Sequence, residues 1–108
     1  MEPANTLIIE SLDKGWCDKD HVLLHACFQL LNDFVEKEMR VNNFPDWNYS
    51  EEAKAARKEI EELYDWWQKR RDDKIMDRST SFAEDEKIYL MDSEMLKRLI
   101  DVRMYMWT

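Results

Sequence analysis

Cys17, His21 and His25 recur every four residues, so on an unbroken helix a thiol and two imidazoles would share one face. Two imidazoles at that spacing can chelate a divalent cation, and Asp18 or Asp20 could add an oxygen ligand. The ligand set is incomplete, however. A structural zinc site needs a second cluster, and the chain holds no further Cys–His pair to build one. Between His21 and His25 the sequence reads Val-Leu-Leu, without the glutamate that acts as base in a metalloprotease helix. A helix start after Cys17 would also take the thiol off the face, leaving capping residues and boundary histidines. A small metal-dependent enzyme using His21 and His25 is the last of the alternatives.

Neighbouring carboxylates offer a second chemistry, general acid–base work: Glu36 with Glu38, Glu51 with Glu52, Glu61 with Glu62, and Glu84 to Glu86. Such catalysis requires desolvated, converging carboxyl groups. Here they alternate with lysines and arginines and read as solvated helix faces. No glycine-rich phosphate loop, nucleophile elbow or triad spacing is present, and one glycine, Gly15, could hardly build one. No catalytic, cofactor-binding or metal residue is therefore assigned, and the chain reads as a non-enzyme.

The elements that carry these residues are helices. One glycine and two prolines cannot supply the turns of a sheet protein, whereas Glu, Lys, Leu, Met and Arg favour helix. The expectation is an all-α single domain over 1–108 with three principal amphipathic helices, at about 19–41, 50–72 and 82–107, behind an irregular N-terminal arm. Asp18 or Asp20 caps the first helix, whose core stripe is read as Leu23, Cys27, Leu30, Leu31 and Phe34, widened by Leu24, Phe28 and Val35. Residues 42–46 form a turn. The second helix starts after Asn48 or Ser50 and aligns Ala53, Ala56, Ile60, Leu63 and Trp67. It ends in Lys69, Arg70 and Arg71, which offset the helix dipole and can accept the acids of the first helix. In the last helix Ile88, Met95, Leu99, Val102 and Met106 follow a seven-residue rhythm, with Leu96, Ile100 and Trp107 beside them. Its length, about 37 Å for 25 residues, exceeds what a compact monomer needs and suggests contact between copies, a homodimer.

A net charge of −8 repels a nucleic-acid backbone, which argues against direct nucleic-acid binding and suits a basic protein surface. The chain opens without a basic stretch and has no apolar run of membrane-spanning length, so a cytoplasmic protein with no membrane contact is expected. Five tryptophans and seven methionines are many for 108 residues. Both types concentrate in cores and at interface centres. Trp66 lies about 100° round the helix from Trp67, so the two indoles cannot face one partner. Trp66, Met104, Met106 and Trp107 are the candidate interface residues, with burial in the core as the alternative.

Three segments resemble a family of small hypothetical proteins encoded by tailed bacteriophages: F-Q-L-L-N-D-F-V-E-K-E at 28–38, E-I-E-E-L-Y-D-W-W at 59–67, and D-S-E-M-L-K-R-L-I-D-V-R-M-Y-M-W-T at 92–108. They cover about a third of the chain. The chain departs from the family pattern at Arg70-Arg71-Asp72-Asp73, where a Pro-Asn-Arg-Pro-type segment is expected, and in a short insert before the last helix. The family has no assigned activity, so no site residues carry over. The resemblance implies phage origin, expression in a bacterial host cytoplasm, and an accessory role through a host or phage protein partner. Structural homo-oligomer and acidic nucleic-acid mimic are the other possibilities, the latter requiring the acids of 1–49 to line one face.

Overall fold

The computed structural model describes residues 7–12, 15, 18–40, 50–72 and 82–106, and every regular element among them is helical. Helix α1 is Lys19–Asp33, continued by a π-helical turn, Phe34–Met39. Helix α2 is Glu51–Asp72, and helix α3 is Phe82–Val102, closed by a 3₁₀ turn at Arg103–Tyr105. These are the three expected helices. Cys17, Trp107, the turn expected over 42–46 and the connector over 73–81 lie outside the described residues.

Helix α2 forms for local reasons. Ser50 Oγ accepts the Ala53 N–H at 3.0 Å, Glu51 and Glu52 occupy the positive end of the helix, and Lys69, Arg70 and Arg71 the negative end. Its Ala53, Ala56, Ile60, Leu63, Tyr64 and Trp67 are all buried, as the spacing predicts. At α1 the cap differs from expectation. Asp18 occupies the cap position with no side-chain bond and accepts Val22 N–H only through its carbonyl, at 3.1 Å; the Asp20 carboxylate takes the His21 N–H instead.

The buried face of α1 is also turned from the expected stripe. Leu24, Phe28, Leu31, Phe34 and Val35 are buried, whereas Leu23 is 57% and Leu30 52% exposed. The reason is polar. His25, Gln29 and Asn32 are buried too, each matched by a distant partner. The Glu10 N–H donates to Gln29 Oε1 at 3.2 Å, Ser11 Oγ and His25 Nδ1 share a 2.6 Å hydrogen bond, and Gln68 Nε2 donates to Asn32 Oδ1 at 2.7 Å. The N-terminal arm thus covers one flank of α1 and α2 the next, which leaves Leu23 and Leu30 outside. Satisfied polar groups can be buried at little cost, so the helix rolls toward them.

Cross-helix pairs order the bundle. Tyr64 Oη donates to Glu36 Oε2 at 2.6 Å, and Gln68 meets Asn32, so α1 and α2 run antiparallel. Arg98 reaches Glu59 and, at 3.0 Å, Glu62, while Arg70 reaches Asp92, so α2 and α3 are antiparallel as well. The expected pairing of the basic end of α2 with acids of α1 is not made by Arg70, which crosses to α3. Glu38, expected on a solvated face, is buried at the end of the π turn.

Candidate functional site

A groove runs between α1 and α3. Asp20, His21, Leu23 and Leu24 form one wall, and Tyr89, Asp92, Ser93 and Leu96 the other. Leu23 and Tyr89, one on each wall, are more than half exposed, and so are Leu30 further along α1 and Ile100 further along α3. Phe82 and Met104 extend the α3 side further, at 83% and 72%. Seven-residue steps link Phe82, Tyr89, Leu96 and Arg103, one residue out of phase with Met95 and Val102, which are buried, and with Ile88, which is half-buried. The outer series was visible in the sequence, but the inner one accounts for the core and hides it.

Beneath the groove lies a buried polar centre. Arg70 Nε and Nη2 donate to Asp92 Oδ1 and Oδ2, both at 2.8 Å, in a two-pronged ion pair. Beside it His25 meets the edge of Trp67 at 4.8 Å between ring centres, and Trp67 stacks on Phe28 at 4.9 Å. The indole nitrogen of Trp67 is buried with no hydrogen-bond partner among the described residues. Burial, followed by the positive charge of Arg70, lowers the His25 pKa to about 4. A serine bonded to a histidine is the arrangement that could activate a nucleophile. An imidazole so hard to protonate is a weak base at neutral pH, and its ring is spent holding the arm through Ser11.

The shift has a sign. Between pH 6.5 and about 4 the unfolded chain holds a proton on His25 that the folded chain refuses, so stability falls as pH drops through that window. The expected loss is on the order of 2–3 kcal/mol. Urea unfolding inside and above the window measures it, and His25→Gln should flatten the dependence.

The structure separates the histidines proposed as metal ligands. His25 is committed to Ser11, while His21 sits with Asp18 and Asp20, their ligand atoms within 4.8 Å of one another on the surface. Asp20 already accepts the His21 N–H there.

The candidate interface residues do not form one patch. Trp66 is half-buried, tilted against Phe28 at 5.3 Å, and walls a second groove with Arg70, Lys87, Ile88 and Met91. Met104 lies 13 residues beyond Met91, about 20 Å along α3, and is exposed. Met106 packs half-buried against the core. Of the described candidates, Met104, four residues after Ile100, is the exposed one.

The described acids of the first half form no row. Asp20 and Asp33 fall about 140° apart around α1, Asp33 is bonded to Gln29 and paired with Lys37, Glu36 to Tyr64, and Glu38 is buried. No helix among the described residues is long and apolar enough to cross a membrane. No family model, curated protein or solved structure matches the chain.

Proposed function

We propose that this chain is a non-enzymatic interaction protein, a phage accessory factor that works in the host cytoplasm by docking on another protein. The observation that carries this is the exposed apolar group beside the α1–α3 groove. In a chain with 37% charged residues, Leu23, Leu30, Tyr89 and Ile100 are gathered outside the core on two adjacent helices. Isolated apolar side chains on a surface are ordinary, whereas a contiguous group marks a contact. The phage setting rests on the motif resemblance alone. The polar groups beneath the groove support the same function, because Arg70 with Asp92 and His25 with Ser11 satisfy one another and hold the two helices in place.

The test is a double substitution on α1, Leu23→Glu with Leu30→Glu. Both positions are over half exposed, so the variant should keep its helicity and melting temperature. In a bacterial lysate the native chain is expected to retain a defined partner that the variant loses. Identical retention by both would refute the docking face.

A further inference from the structure

We infer that the outer stripe of α3 pairs with the same stripe of a second copy, antiparallel, with Glu86 of each chain facing Arg103 of the other. This rests on the interaction function above and adds to the docking at Leu23 and Leu30 a self-association through α3. The stripe reads Glu86, Tyr89, Ser93, Leu96, Ile100 and, in the 3₁₀ turn that closes the helix, Arg103, at steps of three and four along one face; its ends are exposed, and Ser93 and Leu96 at its centre are half-buried, Leu96 against the core. Placed against itself about a two-fold axis between Glu94 and Met95, it is complementary at every level. Glu86 meets Arg103, Tyr89 meets Ile100, and Ser93 meets Leu96, each contact occurring twice by symmetry.

Charge and size both choose this register. An acid faces a base at each end, a large ring faces a branched aliphatic, and at the centre the small serine makes room for leucine. Parallel pairing would instead set Glu86 on Glu86 and Arg103 on Arg103, which repel. Glu86 and Arg103 are exposed, and neither has an ion-pair partner among the described residues. Leu23 borders the same groove as Tyr89 and Leu96, so α1 provides a shoulder for the partner helix. A basic partner would leave Arg103 facing like charge, and a purely apolar one would bury both ends unpaired. A second copy meets both charges at once.

The experiment is a charge exchange read by sedimentation equilibrium, with circular dichroism as the control for folding. Native chain should dimerise. Glu86→Arg alone and Arg103→Glu alone should each weaken self-association roughly tenfold or more, since both symmetric pairs turn repulsive. Mixing the two variants should restore a heterodimer, because every level again sets Arg against Glu, and E86R/R103E in one chain should restore the homodimer. A native chain that stays monomeric at high micromolar concentration overturns the inference. So does a dimer indifferent to both single changes, or variants that fail to complement. None of these results touches the lysate test at Leu23 and Leu30, which judges the interaction function separately.

Discussion

Replacing Trp67 with alanine should lower the free energy of unfolding by about 3–5 kcal/mol, against about 5–15 for a whole domain of this size. Trp67 is fully buried, and three rings surround it. Phe28 stacks on its face, His25 meets its edge, and Trp66 tilts beside it at 6.1 Å. Truncation would open a cavity where α1 and α2 pack through one side chain. Trp67→Phe should cost far less. Phenylalanine retains the stack on Phe28 and removes an indole N–H that has no acceptor among the described residues, so a relieved polar burial offsets part of the lost volume. Denaturant melts of both variants check this. Equal losses would mean that the N–H is bonded in solution.

Removing one member of the Arg70–Asp92 pair should be comparably damaging. Arg70→Met strands the Asp92 carboxylate in the interior, and cutting a buried pair on one side costs about 3–5 kcal/mol. Both side chains are nearly enclosed, at 11% and 12% exposure, so water cannot take over. The double replacement Arg70→Met with Asp92→Leu should recover most of that loss, because no unpaired charge remains. The double-mutant cycle then gives a large coupling energy beside a small net effect. Two additive single losses would show that the residues act apart. Arg70→Met should also ease protonation of His25, whose neighbouring positive charge it removes, and so narrow the acid-sensitive window.

Helix α2 was legible because its evidence is local. Ser50, the early acids, the late bases and the run from Ala53 to Trp67 all agree within one segment. The roll of α1 was not. Gln29 and Asn32 look like solvent positions until Glu10 and Gln68 are brought to them from 19 and 36 residues away. Periodicity cannot see such partners. On α3 two apolar series of equal period lie one residue apart, and only the anchors Arg70–Asp92 and Arg98–Glu59 decide which faces inward. The same limit hid the candidate site. Leu23 and Leu30 were assigned to the core because they are leucines at helical spacing, and the surface they form exists only once that assignment is known to be wrong.

The wide turn at Phe34–Met39 bears on how relatives of this chain should align. The Arg40 N–H reaches back five residues to Val35 O at 3.0 Å, so this turn contains one residue more than an ordinary helical turn. Arg40, which follows it, is set back by roughly 100° compared with an uninterrupted helix. That offset brings Arg40 over the Tyr64 ring, 4.6 Å from its centre, while Glu36 takes the hydroxyl. A relative lacking one residue here would show a single-position gap inside a helix. It should keep the helix and lose the clasp on Tyr64.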